Sequence, residues 1–116
     1  MSLIAVVGVC ASGKTTLVAN LKEAGFNAYN VAQEHSCIKK FWNKHHPDIL
    51  IMIDASLAAI KKRRIVYWDE SRLIAQHERL SDAKAHADLY IQTDSLSKED
   101  VLKEVIAFIK KAEDTV

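Results

Sequence analysis

With 116 residues, 49% of them apolar and 27% charged, the chain has the size and composition of one globular domain, which excludes a disordered or fibrous polymer. The 16 basic and 15 acidic side chains leave a net charge of +1, so no field of one sign marks the chain for nucleic acid or an anionic membrane. No stretch approaches the ~20 apolar residues of a membrane span, and a domain of this size buries roughly 65% of its unfolded surface without needing disulfides.

The apolar run Leu3 to Val7 is short and largely β-branched, and it ends at Gly8; it predicts a strand buried on both faces. From Thr15 to Ala24, Leu17, Val18 and Leu21 recur at helical spacing, with Gly25 as a C-terminal stop. Phe26 to Val31 reads as a second strand. Ser36 to Lys44 reads as a short helix with Ile38, Phe41 and Trp42 on one side. After Pro47, the run Ile49 to Ile53 has the pattern of another central parallel strand, closed by Asp54. Ser56 can cap a helix carrying Leu57, Ile60 and Arg64 on one face. A longer helix is expected over 70–87 through Leu73, Ile74, His77 and Leu80, then a strand over 87–92. Ser97 and Asp100 stand at capping-box spacing before a stripe of Val101, Leu102, Val105, Ile106 and Ile109.

Strands alternating with helices imply right-handed βαβ units, hence a single α/β domain over 1–116 with a four-stranded parallel sheet in three α/β/α layers. Pro47 and the glycines Gly8, Gly13 and Gly25 are the only strong breakers, so connections are short.

Chemistry concentrates in Gly8-Val9-Cys10-Ala11-Ser12-Gly13-Lys14-Thr15, which satisfies G-x-x-x-x-G-K-[ST] at every fixed position, between a strand and a helix. In such a P-loop the glycines let backbone amides approach phosphate oxygens. The N–H groups from Cys10 to Thr16, with the helix terminus behind them, form an anion nest. Lys14 places a full charge between the terminal phosphates, and the Thr15 hydroxyl ligates Mg²⁺. A nucleoside triphosphate is therefore the expected ligand. The guanine-specifying Asn-Lys-x-Asp signature is missing, since Asn43-Lys44-His45-His46 lacks its Asp.

Outside the loop, each candidate carries two readings. Asp54, after the apolar run Ile49 to Ile53, is either a second Mg²⁺ carboxylate or, if its strand is a later one, a loop or capping residue. Glu34 follows the second strand at the carboxyl edge, where α/β sheets bind ligands, or is an exposed loop residue. His35 is a base or a surface histidine, and Arg79 a charge stabiliser or a helix-surface salt bridge. His35, Cys37, His45 and His46 match no zinc spacing. Trp42 and Trp68 stack a base or pack the core. Cys10 and Cys37 have no C-x-x-C spacing and read as reduced thiols. The opening MSLIAVVGV lacks a signal peptide's charged n-region and long h-region. Together these lead to the expectation of a cytoplasmic protein.

The opening VVGVCASGKTTL resembles that of small P-loop kinases, the nucleoside monophosphate, shikimate and gluconate kinases. IMIDAS with Lys61-Lys62-Arg63-Arg64 is similar to their late strand and lid-bearing helix. The segment from His86 to Asp94, with Leu96, Ser97 and Val101, is similar to their closing strand, whose following loop lies beside adenine. The resemblance implies ATP-Mg²⁺ as ligand and phosphoryl transfer to a small acceptor. It also implies charge stabilisation by Arg63 and Arg64, which by themselves read equally as part of a basic helix face, and an acidic residue at Glu34 that helps hold Mg²⁺ or takes the acceptor's proton. Two departures stand out. The family has five strands, and the stretch between Glu34 and Asp48 is too short for a separate acceptor domain. A P-loop protein of molybdopterin-dinucleotide assembly begins similarly, which gives the alternative: a non-kinase module binding ATP or GTP, hydrolysing slowly and acting through a partner or dimer.

Overall fold

The computed structural model describes residues 2–63, 65 and 69–114. In chain order they form β1 (Leu3–Gly8), α1 (Lys14–Glu23), β2 (Asn27–Asn30), β3 (Ile49–Asp54), α2 (Leu57–Arg63), α3 (Glu70–His86), β4 (Leu89–Gln92) and α4 (Lys98–Asp114). The four strands make one all-parallel sheet in the order β2-β1-β3-β4. None of the described helices is long and apolar enough to cross a membrane.

Alternation along the two central strands divides the core in two. Ile4, Val6, Ile51 and Ile53 point to the face covered by α1 and α4, where Leu21, Val105 and Ile109 are fully buried. Ala5, Val7, Leu50 and Met52 point to the opposite face, against Ile60, Leu73 and Leu80 of α2 and α3. Burial on both faces is why β1 and β3 read as unbroken apolar runs. Helices on both faces fit the expected three-layer α/β/α arrangement.

Local signals account for most boundaries. Gly25 has φ +95°, and the bonds Phe26 N to Leu21 O (2.9 Å) and Gly25 N to Lys22 O (3.0 Å) end α1 in a Schellman motif. Asp69 caps α3 through Ser71 N (3.1 Å), and Ser97 Oγ accepts Asp100 N (3.1 Å) at the start of α4. Ser56 Oγ accepts Ala59 N at 3.2 Å.

The helix expected over 36–44 does not form. Two single-turn 3₁₀ helices, Gln33–His35 and Phe41–Asn43, stand on either side of an irregular stretch. The cause is Gln33, fully buried, whose amide donates to Ile38 O (2.8 Å) while its Oε1 accepts Trp42 N (2.8 Å). These side-chain bonds satisfy backbone groups that a helix would pair internally. Ile38 is consequently exposed and Trp42 buried, so they do not share a face. Trp42 takes the core role; Trp68 lies outside the described residues. In α3, Ile74 is exposed, and its turn is held by Leu73, Gln76 and Leu80 instead.

Candidate functional site: the loop between β1 and α1

Gly8 closes β1 opposite Ile53 of β3. A Cβ there would stand 2.2 Å from the Ile53 carbonyl oxygen and 2.9 Å from Ser12 Oγ, so no larger residue fits without displacing backbone. Gly13 has open space around it but a φ of +104°, so there the requirement is conformational. Ala11, at φ +64°, is one of two non-glycine residues in the left-handed region among those described. The loop therefore holds backbone strain at one point and a steric lock at another.

The loop curls so that α1 begins with no side-chain cap; its first internal bond is Leu17 N to Gly13 O (3.0 Å). The amides of Lys14, Thr15 and Thr16 thus have no acceptor among the described residues and point out of the positive end of the helix. Lys14, although charged, is buried. Its Nζ donates to Gly8 O at 2.8 Å and pairs with Glu34 Oε2.

Glu34 comes from the 3₁₀ turn after β2, and its side chain is only 4% exposed. Its other oxygen, Oε1, is buried without a partner among the described residues. A buried carboxylate oxygen left unpaired is costly, and a bound water, an ion or a catalytic role accounts for such a group. Lys14, Thr15, Asn30 and Glu34 line one cavity of about 400 Å³, with Cys10 and Ala11 on its wall. Asn30 Nδ2 reaches toward Thr15 Oγ1 at 3.5 Å.

Three polar residues hold this geometry from outside. Gln76 on α3 accepts Cys10 N at 2.8 Å. Arg79 donates to the Glu34 carbonyl at 3.1 Å, and the Arg79 carbonyl accepts from Gln33 at 3.2 Å. Arg79 thus positions the turn that carries Glu34, and it forms no salt bridge with another of the described residues. His35 is exposed, 3.8 Å from Glu34 Oε2.

Asp54 meets the topological condition for a second carboxylate, because β3 pairs directly with β1. Its oxygens are nevertheless committed: Oδ1 accepts Ala55 N (2.9 Å) and lies 2.9 Å from His77 Nε2, and Oδ2 accepts Tyr90 Oη–H (2.7 Å). Burial, and next the bond to Asp54, push the Tyr90 phenol up to about 12.

Arg63 ends α2 on the other side of Gly13. Its guanidinium donates to Thr93 O (2.6 Å) and Thr93 Oγ1 (3.0 Å), with Ser12 O at 3.5 Å. There it lines a smaller, mostly apolar cavity with Gly13, Leu17, Leu96 and Val101. Arg64 lies outside the described residues. His35, Cys37, His45 and His46 are not gathered. Among the described residues no group of three or more His, Cys, Asp or Glu is placed to hold a metal. Cys10 and Cys37 are free thiols.

No protein-family model matches the chain, and no curated protein matches it.

Proposed function

We propose that this is a P-loop protein related to the small P-loop kinases, which binds a nucleoside triphosphate with Mg²⁺ and passes the terminal phosphoryl group to a small acceptor. The observation that carries the reading is the pairing of buried Lys14 with Glu34 beside an uncapped helix terminus. A cation and open amides converge on one cavity that Glu34 also lines, its Oε1 buried and unpartnered among the described residues. Phosphates would displace Glu34 from Lys14 and take the amides of Gly13 to Thr16. Cys10, Ala11 and Ser12 supply the outer curve of the cradle.

The residues present fit Mg²⁺. It needs few protein ligands beside phosphate oxygens, all of them hard oxygens, and Thr15 Oγ1 and Glu34 are such donors on one cavity wall. Bound there, the ion would neutralise charge developing on the phosphoryl oxygens. Glu34 replaces Asp54 in this assignment, because the oxygens of Asp54 are taken. In the transfer, an acceptor oxygen forms a bond to the terminal phosphorus as the bond to the bridging oxygen breaks. Nucleoside diphosphate leaves, and Glu34 is the base available for an acceptor proton.

The apolar cavity beyond Gly13 suits a purine, with the planar guanidinium of Arg63 against it and the Thr93–Leu96 loop along its edge. In this reading Arg63 would stand against the base rather than on the transferred group. The free thiol of Cys10 in the loop suits a reducing compartment, consistent with a cytoplasmic protein.

A second reading, the accessory module, is favoured by the four-stranded sheet and by the segment 33–48, which contains two single turns and no acceptor domain. The test separates them. ATP-Mg²⁺ and GTP-Mg²⁺ are added in turn while the thermal midpoint is followed; at ~100 times its dissociation constant a ligand stabilises by about 2.7 kcal/mol. Stabilisation lost in Lys14→Ala supports the nucleotide reading, and no shift with either nucleotide overturns it. Acceptor-stimulated turnover then favours the kinase, whereas nucleotide-dependent self-association without it favours the module.

A further inference from the structure

Two residues three positions apart on α3 grip opposite walls of the cavity that Lys14 lines. Gln76 holds Cys10 N on the loop (2.8 Å), and Arg79 holds the turn that carries Glu34. Their spacing puts both side chains on one flank of the helix. The grip of Arg79 is double: its carbonyl accepts from Gln33 Nε2 at 3.2 Å, and its guanidinium donates to Glu34 O at 3.1 Å. That second bond uses one donor of a five-donor cation on a neutral acceptor. The carboxylate of the same glutamate is turned to Lys14 instead, and among the described residues Arg79 has no acidic partner.

The Lys14–Glu34 pair belongs to the nucleotide-free chain. Once phosphates took the ammonium, the Glu34 carboxylate, on a side chain only 4% exposed, would lose its counterion and stand beside negative oxygens. Desolvation and like charge then act on it together, which makes an uncompensated carboxylate there costly. A replacement cation has to come from nearby. His35 Nε2 lies 3.8 Å from Glu34 Oε2, beyond hydrogen-bond reach, on an exposed ring. Arg79 is already docked on the same residue, is charged at every working pH, and presents a planar fork that suits a carboxylate.

We infer that Arg79 is a positioning residue for Glu34 that acts when nucleotide binds. As phosphates take Lys14, one oxygen of the Glu34 carboxylate passes to the Arg79 guanidinium, and the other is left for the metal or the acceptor. One cation replaces another, so the buried charge stays compensated throughout. The exchange rests on the nucleotide reading above, because without phosphate nothing displaces Glu34 from Lys14.

The experiment is a double-mutant cycle on the full chain, read by calorimetric titration with ATP-Mg²⁺. Arg79 is exposed, so its substitution leaves the core untouched. Arg79→Gln should weaken binding by about tenfold, the size of one charge-assisted hydrogen bond. In the Glu34→Gln background no carboxylate needs a counterion, and the same substitution should change affinity by less than about twofold. Arg79→Lys keeps the charge and should bind within about threefold of the parent, a comparison that needs no Glu34 variant to fold. Equal loss in both backgrounds would show that Arg79 only holds the backbone of the turn, and overturns the inference. So does an Arg79→Lys chain that binds as weakly as Arg79→Gln. A parent chain that fails to bind ATP-Mg²⁺ removes the nucleotide reading and the exchange with it, whereas a parent that binds without this coupling removes the exchange alone.

Discussion

The side chain of Gln76 accepts the backbone N–H of Cys10 at 2.8 Å, tying the glycine-rich loop to the middle of a helix 66 residues further along the chain. Gln76 is buried, so nothing in solvent replaces it. Gln76→Leu should leave that amide unsatisfied and cost about 1–3 kcal/mol in urea unfolding. It should also weaken ATP-Mg²⁺ binding, because a loosened loop must be ordered on binding. A core truncation on the same helix, Leu73→Ala, should destabilise by about 2–5 kcal/mol yet leave affinity unchanged while folded. Equal effects of both variants on affinity would show that Gln76 has no role in setting the loop.

Glu34→Gln removes the partner of a buried cation. Without nucleotide, Lys14 is left with neutral acceptors only, the Gly8 carbonyl and the amide oxygen that replaces the carboxylate, and the loss of a buried pair's compensating charge costs up to about 3–5 kcal/mol. In the proposed ATP-Mg²⁺ complex, phosphate oxygens would replace the carboxylate at Lys14, so the deficit should shrink on titration. The variant also separates the two uses of Glu34. If the carboxylate holds the metal, the Mg²⁺ dependence of nucleotide binding is blunted. If it serves only as a base, binding keeps its Mg²⁺ dependence and turnover alone falls. Identical destabilisation with and without nucleotide would remove Glu34 from the site.

What the sequence made legible was what repeats or what sits at fixed spacing. The runs Leu3 to Val7 and Ile49 to Ile53 are apolar because parallel central strands are buried on both faces, and both are found there. The loop motif is local, and the strand and helix it requires flank it. The polar supports left no such trace. Gln33, Gln76 and Arg79 act across 5 to 66 residues through single side chains, which neither periodicity nor spacing encodes. The same holds for Asp54, His77 and Tyr90. The apolar run before Asp54 matched a metal-binding pattern, and only tertiary structure supplies the phenol and imidazole that occupy it. The helix read over 36–44 failed for a related reason: buried Gln33 competes for its backbone from outside the segment.

Gly13 and Gly25 offer a controlled comparison. Both have φ near +100° with open space where a Cβ would go, so alanine at either meets backbone strain and no clash. Each substitution should cost about 1–2 kcal/mol of stability. Gly25 closes α1 at the end away from the loop, so Gly25→Ala should leave nucleotide affinity intact. Gly13→Ala should reduce it as well, because relief of strain there moves the amides that would face the phosphates in the proposed complex. Paired thermal melts with and without ATP-Mg²⁺ read both effects, and equal nucleotide-induced shifts in the two variants would contradict the placement of the phosphates at Gly13.

The Tyr90–Asp54 bond makes an alkaline prediction. Burial first, and then the accepting carboxylate, hold the phenol at about 12 in the folded state, against about 10 in the unfolded chain. A group whose folded value is raised contributes fully below its unfolded value and loses that contribution as pH climbs to the folded one. Stability should therefore fall between about pH 10 and 12, and Tyr90→Phe should remove part of that fall while lowering the plateau beneath it. Tyr29, raised by burial, contributes in the same direction, so the comparison must be between Tyr90→Phe and the parent rather than with a flat baseline. Tyr90 is partly exposed, so its share is modest and screened by salt. Tyrosinate absorbance supplies the direct check. The chain has three tyrosines, and Tyr90→Phe should delete the component that titrates near 12. An unchanged late component would mean that the phenol does not donate to Asp54, which would free an oxygen of that carboxylate and reopen its candidacy as a metal ligand.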